Sequence, residues 1–297
     1  MKPTNITGED FTRLANNFYN EKKLPNDFTR IVLDSELANY IGAHLEDINK
    51  KFKVALVCIC LNTPYWEYAK EMMEGSKKFF LPGHKVDMFL WSDMPECNYG
   101  ATVIPTEPAE WPLPTLMRYS LFLQQEEKLS EYDYIFYCDI DMRFVNVVGD
   151  EILGDGLTAA LHPMYALRKE YQAPLEPNPQ SKAYINRPTN YYAGGLQGGK
   201  AKEFITAMKV MKKSIDGDFV HNYVARWNDE SHWNKYLFEH PPAIVLSPSY
   251  IYPDSLVEQY YKKLWGCDYQ PKLITITKKF SITKEGGEAV RKMIETL

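Results

Sequence analysis

Between residues 53 and 163 the chain alternates between two kinds of hydrophobic pattern. "KVALVCIC" (53–60) is a continuous apolar run with β-branched residues, which predicts a buried strand. "PYWEYAKEMMEGSKKFF" (64–80) opens on a proline, suited to a first helical turn, and predicts a helix. "KVDMFLW" (85–91) predicts a second strand, "PTLMRYSLFLQQEEKL" (114–129) a second helix, and "YIFYCD" (134–139) a third strand. "GLTAALHP" (156–163) reads as strand again. Strands alternating with helices predict an α/β fold around a sheet with parallel strands.

The flanks read differently. In "LDSELANYIGAHLEDINKKF", Leu37, Tyr40, Ile41, Leu45 and Ile48 share one helical face after a possible cap at Asp34. Residues 1–51 are therefore expected to be a helical N-terminal extension. Residues 165–190 carry several prolines and little periodicity, which predicts a long surface loop or a functional lid. "GGKAKEFITAMKVMKKSI" (198–215) and "DESHWNKYLFEH" (229–240) are expected to be helical.

Composition narrows the function classes. The net charge is −5 and there is no basic block, so nucleic acid is not an expected partner. An anionic substrate would need a metal ion or a few placed cations. Five cysteines, at 58, 60, 97, 138 and 267, show no CxxC pattern, which predicts free thiols in a reducing compartment. The first twenty residues lack an apolar signal core, and nothing approaches the roughly 20 apolar residues of a membrane span. The expectation is a soluble, cytoplasmic protein.

The chemistry concentrates where the third strand ends. Asp139 and Asp141, in "YCDID", stand at the carboxyl end of a predicted strand, where open α/β sheets bind ligands. Two carboxylates at this spacing can converge on a hard divalent cation, with a nucleotide diphosphate supplying further oxygens. They equally suit an N-cap or a loop salt bridge. A third possibility is a phosphohydrolase with Asp139 as nucleophile. Met142 stands where such enzymes place Thr or Val, and two strands precede the motif, which counts against that reading. "NYYAGGLQGGK" (190–200) packs four glycines between paired tyrosines and a predicted helix, where a backbone can approach a ligand closely or turn sharply. Asp229 and Glu230 open another predicted helix, a place favoured for acidic residues in any protein.

Taken together, "GHKV", "DYIFYCDIDMRF", "ALHPMY", "PQSKAYI", "YYAGGLQGG", "NDESHWNKYL" and "LSPSYIYP" resemble glycosyltransferase family 6 in order and spacing, over roughly residues 52–255. The family includes the histo-blood-group A and B transferases and the α1,3-galactosyltransferases. The resemblance implies a GT-A fold: a Rossmann-like mixed sheet flanked by helices, in a single catalytic domain over 52–297. Its nucleotide-binding half would be about 52–145, its acceptor-binding half about 146–255, and a C-terminal tail 256–297. The implied reaction moves GalNAc or Gal from a UDP-sugar donor to the 3-hydroxyl of a galactoside in a glycan acceptor, in α1,3 linkage with retention. A carbohydrate-binding pseudoenzyme on the same fold is the other alternative, and intact Asp139, Asp141 and Glu230 argue against it.

The resemblance also implies roles. Asp139 and Asp141 would hold Mn²⁺ (or Mg²⁺) against the diphosphate. Glu230 would be the catalytic carboxylate, as nucleophile or as electrostatic stabiliser. Tyr65 would contact the uridine, Arg118 would stand beside the donor, and Asp229 would bind donor-sugar hydroxyls. Ala193, Gly194 and Gly195 would form the donor-sugar segment, with Ala193 and Gly195 flanking the C2 substituent. Glycine at 195, as in A-type enzymes, leaves space for an acetamido group and so implies UDP-GalNAc over UDP-Gal. His162, Tyr165 and Trp227 would belong to the acceptor site. Lys279 and Arg291 are the candidates for a basic tail closing over the diphosphate. The chain departs from the family at Asn228, where a histidine is usual, and at Cys60 and Asn62, where mammalian members have apolar uridine contacts.

Overall fold

The run at 53–60 is apolar beyond Lys53 because it feeds two cores. It forms β1 (Lys53–Cys60), with Leu56 and Cys58 in one apolar layer and Val57 and Ile59 in the other. A computed structural model describes residues 50–276, apart from 95, 97–98, 110, 167–172, 255–257 and 266–268. The predicted 37–48 helix with its cap at Asp34, the thiols of Cys97 and Cys267, and the tail residues Lys279 and Arg291 lie outside the described residues.

From β1 the chain runs through α1 (Thr63–Phe79), β2 (Lys85–Ser92), β3 (Thr102–Pro105), α2 (Leu113–Leu116), α3 (Arg118–Leu123) and α4 (Glu126–Leu129). β4 (Tyr134–Cys138), β5 (Met142–Phe144), β6 (Leu157–Leu161) and β7 (Tyr192–Lys200) follow. The described chain ends with α5 (Ala201–Phe219), α6 (Asn228–Glu239), β8 (Ile244–Leu246), β9 (Tyr252–Pro253), α7 (Glu258–Trp265) and β10 (Leu273–Thr275). Seven strands form one sheet in the order β3-β2-β1-β4-β7-β6-β8. The first four are parallel, β7 is antiparallel to both its neighbours, and β8 is parallel to β6. A smaller sheet has the order β5-β10-β9. Met72 and Met73 of α1 fill one layer; Phe122 of α3, Phe204 and Met208 of α5 and Trp233 of α6 fill the other. The fold is the expected α/β domain with a mixed sheet flanked by helices.

Two expected elements differ. The helix expected from 198 begins at Ala201, because "YAGGLQGGK" is the central strand β7. Glycine makes this possible. A Cβ at Gly198 would lie 2.4 Å from the Ile135 carbonyl oxygen on β4, and one at Gly199 would lie 2.2 Å from that of Gly156. The helix expected over 114–129 is divided into α2, α3 and α4, with breaks at Met117 and at Gln124–Gln125. The first break places Arg118 at the start of α3, where buried ion pairs outweigh helix propensity.

Of the expected loop or lid at 165–190, the described part 173–190 packs against the body: Glu176, Ser181, Ala183 and Ile185 are buried. Residues 167–172 lie outside the described residues. Cys58, Cys60 and Cys138 form no disulfide and lie buried in the layer beneath α1.

Gly199 has φ +133°, a conformation open to glycine alone, and no room for a side chain. Gly199→Ala is expected to cost about 3 kcal/mol of stability, measured by urea unfolding. A loss under 1 kcal/mol would show that β7 can shift away from β6.

Candidate functional site

Asp139 follows β4 directly, and its backbone N–H donates to the Gly195 carbonyl at 2.9 Å. This extends the β4–β7 ladder by one bond and sets the two-aspartate motif beside the glycine pair. The same region is the floor of a cleft at the carboxyl ends of β1 and β4, walled on one side by the first turn of α6.

Arg118 organises it. Its side chain is 4% exposed, and Nη1 lies 2.6 Å from Asp229 Oδ2. Nη1 also donates to the Gly194 carbonyl (3.0 Å), and Nη2 to Asp139 Oδ1 (3.3 Å). The guanidinium carbon sits 3.9 Å from the centre of the Tyr137 ring, whose hydroxyl donates to the same Asp139 oxygen. Burial works against its charge, but Asp229 first, then Tyr137 and Asp139, more than offset this and hold its pKa above the ordinary value.

Glu230 sits one residue along from Asp229 and faces β7. Tyr191 donates its hydroxyl to Oε1, and the Gly194 N–H donates to Oε2, both at 2.7 Å. Both carboxylate oxygens are therefore fixed. Burial raises its pKa to about 7, opposed by these two bonds and reinforced by the charges of Asp229 and Asp139. Burial likewise raises Asp229 to about 6, although Arg118 pulls it down.

The expected residues divide into four groups. Tyr65, Arg118, Asp139 and Asp141 line the cleft from the nucleotide half, and Gly194, Gly195, Trp227, Asp229 and Glu230 from the other. His162 and Tyr165 stand behind that lining, with ring centres 5.7 and 5.4 Å from that of Tyr191. Burial lowers the His162 pKa to about 4, so the ring is neutral at pH 7. Ala193, expected to flank the donor sugar, is 3% exposed and packed in the layer beneath α1 that also holds Cys138 and Met142, and it does not line the cleft. Lys279 and Arg291 lie outside the described residues.

Three contributors escaped the sequence reading. Tyr191 grips Glu230. Buried Asn234 clamps the backbone of Tyr192, accepting from its N–H and donating to its carbonyl (2.8 Å each), and also donates to the Glu230 carbonyl, which locks α6 to β7. Trp111 lines the cleft with 71% of its surface exposed. The only signal for Asn234 was a polar residue four positions after Glu230, on the face of the helix that carries Trp233 and Leu237 into the core.

Among the described residues, no group of three or more His, Cys, Asp or Glu side chains could hold a metal by itself. Asp139 and Asp141 offer hard oxygen donors alone. That set fits Mg²⁺ or Mn²⁺ completed by substrate phosphate oxygens and water. Among the described residues, four carboxylates line the cleft against the guanidinium of Arg118, a balance that an anionic donor would meet more readily with added positive charge.

The raised pKa of Glu230 carries a stability cost. Its contribution to stability is complete below its ordinary value of 4.5 and is lost as pH rises through about 7. Glutamine can keep both bonds, accepting from Gly194 and donating to a turned Tyr191 hydroxyl. In metal-free protein, Glu230→Gln is expected to be more stable than wild type by about 3 kcal/mol at pH 8, and nearly equal to it near pH 4.5. Thermal unfolding across this range checks it; a difference independent of pH would show that Glu230 is not held uncharged by its surroundings.

The family model for glycosyltransferase family 6 matches residues 39–264. A histo-blood group ABO system transferase 1 of Rattus norvegicus is 32% identical over 72% of this chain and 66% of its own length. A globoside alpha-1,3-N-acetylgalactosaminyltransferase 1 of Homo sapiens is 30% identical over 64% of this chain and 58% of its own. An O-antigen biosynthesis glycosyltransferase WbnI of Escherichia coli is 29% identical over 52% of this chain and 68% of its own. The chain thus spans a little under two thirds of the length of the first two relatives. With a GT-A-like mixed sheet and this match across most of its length, the chain belongs to glycosyltransferase family 6.

Proposed function

We propose that the protein is a retaining glycosyltransferase that moves GalNAc, or Gal, from UDP to the 3-hydroxyl of a galactoside acceptor. The observation that carries this is the meeting of Asp139 and Asp141, from a strand end, with Glu230, from a helix start, in one cleft around Arg118. The names of the relatives support α1,3 linkage and GalNAc as donor sugar.

Each part of the cleft then has a task. Asp139 and Asp141 would hold Mn²⁺ or Mg²⁺, which when bound neutralises the departing diphosphate. Arg118 fixes the Asp139 carboxylate and the Gly194 carbonyl in place. Ionised Glu230, aimed by Tyr191 and Gly194, meets the positive charge that develops on the sugar as its bond to UDP breaks. Asp229 receives donor-sugar hydroxyls, Tyr65 the uridine, and Trp227 with the His162–Tyr165 pair the acceptor. The phosphohydrolase alternative requires Asp139 as a nucleophile, yet its Oδ1 is engaged by both Arg118 and Tyr137.

The test is a panel of UDP-sugars against a glycan array, with and without Mn²⁺. Asp139→Asn and Asp141→Asn are expected to weaken donor binding and nearly abolish transfer. Glu230→Gln is expected to lose about a thousandfold in rate with donor binding largely kept. Full activity of metal-stripped wild type in EDTA, or a Glu230→Gln enzyme within tenfold of wild type, would overturn these assignments.

The donor choice rests on Gly195. A Cβ there would fall 2.9 Å from Asp139 Oδ2 and 3.3 Å from Met142 Sδ. Gly195→Ala is therefore expected to do two things. It should shift the kcat/KM ratio toward UDP-Gal by the 10- to 100-fold that about 1–3 kcal/mol confers. It should also raise the Mn²⁺ concentration needed for half-maximal rate with both donors, by displacing the Asp139 carboxylate. An unchanged donor ratio at saturating Mn²⁺ would place sugar selectivity elsewhere.

A further inference from the structure

Glu176 lies in the long connection between β6 and β7, and it is only 2% exposed. No sequence motif pointed to it. Its Oε1 accepts from the Asn178 N–H (2.8 Å) and the Tyr223 hydroxyl (2.6 Å), and its Oε2 accepts from the Arg226 N–H (2.6 Å). Two of these three donors belong to the connection between α5 and α6, which leads directly into Trp227 at the cleft.

Besides Glu176, that second connection is held mainly by main-chain groups: the Tyr223 N–H donates to the Asp218 carbonyl and the Trp227 N–H to the Ser231 hydroxyl, both at 3.0 Å. Val220 and Val224 are 78% and 44% exposed, while Ala225 is buried. Asn222 and Asn228 take φ +53° and +50°, so the backbone turns sharply at both ends of the segment. The loop that carries Glu176 is itself anchored, since buried Asp218 accepts from the Ser181 hydroxyl (2.6 Å) and the Lys182 N–H (2.7 Å). Glu176 therefore transmits a fixed position from the protein body to residues 223–226. The donor side is secured separately, by Arg118 on Asp229 and by Asn234 and Gly194 on the Glu230 turn.

We propose that Glu176 is a positioning residue for the acceptor side of the cleft: by pinning Tyr223 and Arg226 it fixes Trp227 and so sets acceptor affinity. The inference rests on the transferase reading given above. It extends that reading to a residue that does not line the cleft.

Glu176→Gln tests it with little change of shape. Whichever way the amide is turned, the N–H of Asn178 or of Arg226 faces an NH₂ group and loses its acceptor. Tyr223→Phe removes one bond from the other side and preserves folding if the first variant does not fold. The assay uses UDP-GalNAc, Mn²⁺ and the galactoside that wild type uses best on the glycan array, and measures KM for each substrate together with UDP release in the absence of acceptor. Glu176→Gln is expected to raise acceptor KM about tenfold, with donor KM and acceptor-free hydrolysis within twofold of wild type. Tyr223→Phe should give a smaller rise of the same kind, and the double variant less than the product of the two. Donor and acceptor KM rising together, hydrolysis falling with transfer, or unchanged acceptor KM in both variants would overturn the proposal. A wild type that neither transfers nor hydrolyses any UDP-sugar would instead overturn the transferase reading and this inference with it, a result that no variant is needed to see.

Discussion

A guanidinium with almost no exposure must be met by charge and by hydrogen-bond acceptors. Arg118 is such a group, met at both terminal nitrogens while its buried Nε–H has no acceptor among the described residues, and the site is arranged around it. It draws together the end of β4 through Asp139, the start of α6 through Asp229, and the middle of β7 through the Gly194 carbonyl. Gln197 donates to the same carbonyl at 3.1 Å and is itself held by the Tyr119 hydroxyl. Three elements far apart in sequence thus share one buried cation. Removing it would strand Asp229 as a buried charge without its partner.

This arrangement leaves the cleft short of positive charge. Burial raises both Asp229 and Glu230 above the ordinary carboxylate range; the charge of Asp139 adds to both shifts, and that of Asp229 to the shift of Glu230. Such tension is costly for folding, and it would serve the proposed stabilisation of a developing cation. The geometry sustains it. Both oxygens of Glu230 are held, by Gly194 on β7 and by Tyr191 just before it, and Asn234 binds the adjoining strand backbone, so the carboxylate is kept from turning away to water.

The sequence was most legible where burial alone decides structure. The strands at 53–60, 85–91 and 134–139 appear within a residue of expectation, since a strand packed on both faces is apolar throughout. β7 was missed because its glycines carry no hydrophobic period; they serve close approach to β4 and β6. The helix at 114–129 was expected whole, since ion pairs that break it at Met117 come from residues 21 and 111 positions away. In the site, charged residues at an element's end were visible, and family resemblance supplied their roles. Asn234, Tyr191 and Glu176 were not visible, because they bind backbone groups or single oxygens brought near only by the fold.

The two sides of the cleft are held by different means, and the difference has a physical origin. The side around Arg118 concentrates charge, so it needs a rigid, dry frame of buried ion pairs and strand-to-helix bonds. The other side, proposed to meet the acceptor, presents Trp227, 47% exposed, on a connection with polar anchors and few apolar ones. A frame of the first kind tolerates little change, because each charge depends on the others. A connection of the second kind can change its length or its outward residues while Glu176 still finds a backbone N–H to accept. Variation in what the cleft receives is then easiest at residues 220–227, where a change leaves Arg118 and its partners untouched.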